Sequence, residues 1–197
     1  MDQGLNRRIG RLARVCVAVA RGGDGLIRRE TREALRAGVA AEEVAEAMLQ
    51  THLFAGFPRA INGLWILDEL APDRRRAGQE SPGRRGRGER LCRRIYGRDY
   101  APMMRRMNRL HPDLARWILE DGYGKVLSRP AFGARERELM VIATLAEVRA
   151  WRQLPSHVRG ALLVGATKPE VRRVVREARS LLGSRASGRV LSILEAL

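Results

Sequence analysis

The sequence predicts an all-α protein made of two copies of one helical unit. Three observations carry this. Apolar residues recur at i, i+3, i+4 and i+7 through most of the 197 residues. The alternation expected of half-buried strands is scarce. A gap-free offset of 127 residues superposes the two halves: Gly38 on Gly165, Leu12 on Leu139, Val15 on Ile142, Ala34-Leu35 on Ala161-Leu162, Glu43-Val44 on Glu170-Val171 and Gly56 on Gly183.

The elements follow in order. Leu12, Val15, Cys16 and Val19 form one apolar stripe on a helix from Arg8 to Arg21. A second helix, Leu26 to Arg36, stops at Gly38, which tolerates the left-handed conformation. A third, Glu42 to Phe54, carries Val44, Ala47, Met48 and Thr51 and is broken by Gly56-Phe57-Pro58. A fourth, Ala60 to Leu70, presents Ile61, Leu64, Trp65 and Leu67. Residues 72–94, rich in proline, glycine and arginine, read as an exposed linker between an N-terminal unit at 1–71 and a C-terminal unit at 95–197. The competing reading of 72–94 is a nucleic-acid-binding arm, disfavoured because Pro72 to Gly88 offers no aromatic ring for a base to stack on. Helices are expected over Arg94 to His111 and over Pro112 to Leu119, the latter ending at Gly122-Tyr123-Gly124. Ser128 to Gly133 is a turn, and a long helix runs from about Ala134 to Arg149. Thr167-Lys168-Pro169-Glu170 has the form of a capping box with an early proline. Ala40 takes the cap position in the first copy, so that helix start is expected to be weaker by about 1 kcal/mol.

Composition narrows the function. The net charge is +16, and all but two of the 38 basic residues are arginine. Such a surface attracts anions, whether nucleic acid or small acidic molecules. The two cysteines, Cys16 and Cys92, form no CxxC pair and no cluster with zinc spacing, so neither a disulfide framework nor a metal site is expected, and a reducing cytoplasm is the default compartment. There is no secretory-type start and no apolar run of the length that spans a bilayer, so no membrane association is expected.

From Arg135-Glu136-Arg137-Glu138-Leu139, through Gln153-Leu154-Pro155-Ser156-His157 and Gly160-Ala161-Leu162, to Gly165-Ala166-Thr167-Lys168-Pro169-Glu170-Val171, the chain resembles the carboxymuconolactone decarboxylase family. The first-copy stretch Leu53-Phe54-Ala55-Gly56-Phe57-Pro58 is similar to that family's glycine–proline helix break. The resemblance implies a tandem repeat of alkylhydroperoxidase-D-like helical hairpins and assembly into a homo-oligomer. Peroxidase members of the superfamily carry a helix glutamate, a CxxC pair and a histidine four residues beyond it. Glu138 and His157 match the acid/base half, but Ala150 and Gln153 stand where the cysteines would be. Without thiolates the chain is not expected to reduce peroxides.

The resemblance therefore points to cofactor-free acid/base chemistry, a decarboxylation or related lyase step on a small anionic substrate, with Glu138 and His157 as the catalytic pair. Gln153, Trp151, Arg129 and Arg152 are the candidate substrate-binding residues, the arginines because guanidinium pairs with carboxylate. On the residues alone His157 reads as a histidine in a helix's first turn, and Glu138 as one of several charges opening a helix. At the matching places of the first copy stand Glu30 and Arg11, so that copy is expected to serve packing or oligomer contacts. His52 reads as a helix-surface histidine and His111 as a turn residue. Two competitors stand beside this reading. One is a non-enzymatic basic protein that binds nucleic acid or another acidic partner, disfavoured by the lack of a recognisable reading helix. The other is a degenerate member that only scaffolds.

Overall fold

A computed structural model describes residues 2–75 and 82–197, and among these the chain is helical with no strand. The first repeat contains α1 (Asp2–Arg21), α2 (Asp24–Arg36), α3 (Ala41–Ala55) and α4 (Phe57–Leu70). Next come α5 (Arg84–Tyr96), a 3₁₀ turn (Gly97–Asp99), α6 (Tyr100–Leu110), α7 (Pro112–Trp117) and a π-helical segment (Ile118–Leu127). The second repeat is α8 (Ala134–Glu147), α9 (Leu154–Leu163) and α10 (Lys168–Glu195).

The backbone itself repeats. Gly56 (φ 85, ψ 163) separates α3 from α4, and Gly183 (φ 78, ψ 168) breaks α10 at the equivalent place. Left-handed φ values also recur at Gly38 and Gly165, and at Gly22 and Arg149. Each of the three pairs has the same spacing, so α8, α9 and the two halves of α10 correspond to α1 to α4. The cap chemistry is only half shared. Thr167 Oγ1 accepts from the Glu170 amide (3.4 Å) and Glu170 returns the bond to the Thr167 amide (2.8 Å). At Ala40 only the returning bond from Glu43 exists (3.4 Å).

The two equivalent helices α1 and α8 pack on each other at the centre. Both are buried over most of their circumference rather than along one stripe: Leu12 to Ala20 apart from Arg14, and Arg137 to Ala146 without a break. A helix covered on all sides must be apolar all round or pair every polar group it carries. Around α1 and α8 lie α3, α4 and α10.

Three sequence expectations change. The linker expected over 72–94 is helical from Arg84, because Leu91, Cys92 and Ile95 are buried against the body of the protein; residues 76–81 lie outside the described residues. Gly122-Tyr123-Gly124 does not end a helix but lies inside the π-helical segment, with Tyr123 and Gly124 buried. On α4 the buried residues are Ala60, Gly63, Ile66 and Leu67, so Ile61 and Trp65 point outward.

α5 reaches the body through glycines. A Cβ on Gly88 would lie 1.8 Å from the Leu119 carbonyl oxygen, and one on Gly124 would lie 2.1 Å from the Arg84 oxygen. Neither backbone atom can yield as a flexible side chain would. Arg87 then donates to the Gly124 carbonyl at 2.9 Å. Replacing Gly88 with alanine is expected to push α5 off the π-helical segment and destabilise the fold by about 1–3 kcal/mol, the usual cost of overpacking. Urea denaturation of Gly88→Ala measures this, and an unchanged midpoint contradicts the packing described.

Candidate active site

Glu138 lies in the second turn of α8, where burial on every side forces its carboxylate inside. His157 is the fourth residue of α9, whose start is set by Pro155 in the first turn. The two side chains meet: His157 Nδ1 and Glu138 Oε2 are 2.8 Å apart, with side-chain exposures of 8% and 0%. An ionised carboxylate only accepts, so against it Nδ1 is the donor, which leaves Nε2 as the free edge of the ring. Nε2 has no hydrogen-bond partner among the described residues, and the His157 side chain is 8% exposed. Glu138 Oε1 is buried without a partner.

The surroundings are apolar or neutral. Phe54 of α3 and Tyr96 of α5 stand edge-on to the imidazole, with ring centroids 6.1 and 6.3 Å away. The Tyr123 hydroxyl donates to that of Tyr96 at 3.3 Å. Burial, reinforced by the negative charge of Glu138, pushes the Tyr96 phenol up to about 12 and the Cys92 thiol to about 12. Tyr123 is raised well above its ordinary value for the same first reason, burial. All three groups are therefore neutral at pH 7, and the pair sits where charge is weakly screened. α5 comes this close to α9 because position 160 is glycine: a Cβ there would lie 2.7 Å from Ile95 Cγ2 and 3.4 Å from Glu138 Oε2.

The remaining candidates are placed differently. Gln153 is exposed at the N-cap of α9, where its carbonyl accepts from Ser156 Oγ at 2.7 Å. Arg152 is exposed and has no ion-pair partner among the described residues. Trp151 is half-buried with the Arg189 guanidinium 4.9 Å over its ring, which ties it to α10. Arg129 is held by Glu46 through Nε at 2.9 Å and Nη2 at 2.5 Å, so a substrate carboxylate would have to displace Glu46. His52 stacks on Phe57 (4.6 Å between centroids), and His111 Nδ1 accepts from the Asp113 amide as a helix cap. Among the described residues no three His, Cys, Asp or Glu side chains stand close enough together to hold a metal ion.

Sequence reasoning missed Phe54, Cys92, Tyr96 and Tyr123. The signal available was the spacing of Leu91, Cys92 and Ile95 at i, i+1, i+4, an apolar face inside a stretch whose arginines and glycines mask it. In the first repeat the place of the histidine is taken by Glu30, which Arg14 grips through Nε (2.7 Å) and Nη2 (3.0 Å). Burial raises the Glu30 carboxyl, but the bonds and charges of Arg14 and Arg29 outweigh it and hold the group below the usual range. That copy has a structural ion pair where the second has an imidazole and a carboxylate.

A family model described as the carboxymuconolactone decarboxylase family matches residues 1–69 and 112–196, which leaves α5 and α6 between the two matched stretches. Among characterised proteins the chain is similar to peroxisomal protein 2 of Schizosaccharomyces pombe, 33% identical over 135 residues, covering 66% of this chain and 63% of that protein. It is also similar to peroxisomal protein 2 of Saccharomyces cerevisiae, 29% identical over 160 residues, covering 66% of this chain and 56% of that protein. A shorter likeness, 33% over 67 residues, links 34% of the chain to 47% of a nitrosuccinic acid decarboxylase of Metarhizium robertsii. The chain thus spans less than two thirds of the length of each of these relatives.

Both thiols are buried, and burial pushes Cys16 to about 11 and Cys92 to about 12. Neither forms thiolate near neutral pH. Titration with a chromogenic disulfide is expected to find no reactive thiol in the native protein and both after denaturation. Rapid native labelling of Cys92 would show that α5 does not cover Glu138.

Proposed function

The chain belongs to the carboxymuconolactone decarboxylase family, and from that premise we propose that it carries out cofactor-free acid/base chemistry, a decarboxylation or related lyase step, on a small anionic substrate at His157 and Glu138. The observation that carries this reading is the buried 2.8 Å bond between the two side chains, with Nε2 left unpartnered beside two aromatic rings.

A carboxylate leaves as CO2 only when the electron pair of the breaking C–C bond has somewhere to go. The substrate must therefore carry an electron sink, a conjugated carbonyl or a nitro group, next to the carbon that loses it. The nitrosuccinic acid decarboxylase named among the relatives acts, by that name, on an acid of this kind. His157 takes a proton from solution at Nε2 and delivers it to the carbanionic carbon as CO2 departs. Glu138 holds the ring in the orientation that aims Nε2 outward and stabilises the imidazolium before transfer. The phenols and the thiol around the pair, neutral at pH 7, keep a low-dielectric wall behind it, which strengthens the attraction between imidazolium and carboxylate. Arg152 and Gln153, exposed just before α9, are the groups that would meet the substrate's remaining carboxylate. Two buried, unpaired thiols suit a reducing compartment such as the cytoplasm.

The test is CO2 release from a panel of small nitro and unsaturated dicarboxylic acids, nitrosuccinate included. His157→Ala and Glu138→Gln are each expected to lower the rate by roughly 10²–10⁴-fold, the usual range for a general acid or base, with far-ultraviolet circular dichroism unchanged. Equal rates in wild type and both variants, or no turnover of any member of the panel, would count against the reading.

A further inference from the structure

α6 and α7 form a corner outside the two repeats. α6 packs on α5, on the 3₁₀ turn and on α7, and it falls between the two stretches matched by the family model. Where α6 turns into α7, three large apolar side chains face water: Leu110, Leu114 and Trp117 are 65%, 39% and 53% exposed. Leu110 ends α6, and Leu114 and Trp117 lie one turn apart on α7. Met103 and Met107, both half-buried, continue the line of Leu110 back along α6. Arginines border this apolar edge. Arg106 stands one turn before Leu110, and Arg105 one turn before Arg109. All three are exposed, and none has an ion-pair or hydrogen-bond partner among the described residues. On α7 the charges cancel instead, since Arg116 donates to Asp113 at 2.7 Å.

We propose that this corner docks on the surface of an anionic lipid bilayer. Leu110, Leu114 and Trp117 enter the boundary between headgroups and acyl chains, and Arg105, Arg106 and Arg109 meet the lipid phosphates. Polarity and charge together select this occupant. Leucine side chains gain by leaving water, whereas a guanidinium needs an anion beside it. A bilayer with acidic headgroups offers an apolar layer directly beneath a negative one. Tryptophan, apolar with one polar N–H, suits that boundary. The long apolar stems of the arginines let their charged ends stay at headgroup level while the leucines go deeper. A second copy of the chain would set arginine against arginine here, and a nucleic-acid backbone would leave the leucines in water. No helix among the described residues is long and apolar enough to cross a membrane, so the contact stays at one surface. The sequence expectation of no membrane association rested on the lack of a spanning run, which surface docking does not need.

Cosedimentation of the full chain with lipid vesicles tests the proposal. The wild type is expected to pellet with vesicles of equimolar phosphatidylcholine and phosphatidylglycerol, and not with phosphatidylcholine alone. The R105Q/R106Q/R109Q variant should bind about 100-fold more weakly, at roughly fivefold for each arginine near a charged surface. The R176Q/R179Q/R185Q variant removes the same amount of exposed charge from α10 and should weaken binding far less. The L110S/L114S/W117S variant should stay in solution while keeping its circular dichroism. An independent readout is Leu114→Cys carrying a polarity-sensitive dye, since Cys16 and Cys92 are buried and take no label. Its emission should shift to the blue on the anionic vesicles, and that of the same dye on Ser192→Cys, exposed on α10, should not. A wild type that does not pellet, equal weakening by the two arginine variants, a folded serine variant that still binds, or an unshifted dye on Leu114→Cys each overturns the proposal. So does retention on duplex DNA without binding to vesicles, which would assign the arginines to nucleic acid. If the serine variant does not fold, the dye decides.

Discussion

The unbroken burial of α8 from Arg137 to Ala146 is the constraint from which the rest of the structure follows. A helical stretch with no solvent face cannot leave a charge unpaired, and the buried part of α8 opens with two charged residues in succession, Arg137 and Glu138. Arg137 is held by α3 and by the turn before α8: its Nη1 donates to Gln50 Oε1 at 3.0 Å, and Nη2 donates to the Arg129 carbonyl at 2.9 Å and to Glu46 at 3.4 Å. Gln50 returns a bond to the Arg137 carbonyl at 3.2 Å. Glu138, pointing the other way, is bonded through Oε2 to His157, while its Oε1 has no partner among the described residues. Adjacent residues on one buried helix thus tie α8 to α3 on one side and to α9 on the other. Breaking a buried charged pair by removing one partner typically costs about 3–5 kcal/mol. Both partnerships are therefore structural.

The large positive charge looks different once the ion pairs are placed. Many arginines hold one repeat to the other or one helix to the next. Arg21 grips Glu147 between α1 and α8 at 2.8 Å, Arg8 bridges Glu43 and Glu136, and Arg135 reaches Glu170. These are partly buried pairs, where guanidinium's planar fork suits carboxylate better than an ammonium does. The composition is thus in part an internal fastening and only in part a surface for anions.

Duplication explains the asymmetry of the molecule. The two repeats share their glycine breaks, their central helix and many of the positions that face inward, but differ where Glu30 and His157 stand. Where the second repeat pairs imidazole with carboxylate, the first pairs Glu30 with Arg14, which fixes charge permanently and leaves nothing to titrate near neutrality. The stretch between the repeats supplies what neither has. α5, carried to α9 past Gly88 and Gly160, brings Cys92, Ile95 and Tyr96 over the pair.

Much of the fold was legible in the sequence, because helix periodicity and glycine breaks are local properties. Gly38, Gly56, Gly165 and Gly183 each mark a left-handed backbone position that other residues adopt only with strain. The Thr167 cap was legible for the same reason. Glu138 and His157 were legible as a pair through the family pattern, whereas the 2.8 Å geometry of their contact was not. What only the tertiary structure decided was which face of each helix is inside. Ile61 and Trp65 are as apolar as Ile66 and Leu67 and lie on the same helix, and nothing local distinguishes the outward pair from the inward pair. The arginine- and glycine-rich run became α5 because a neighbouring backbone offered Gly124 to pack against. Arg129 was drawn to Glu46, far away in the chain, rather than left free. Spacing along one helix fixes which residues share a side, whereas the side that loses water is chosen by the surface it meets.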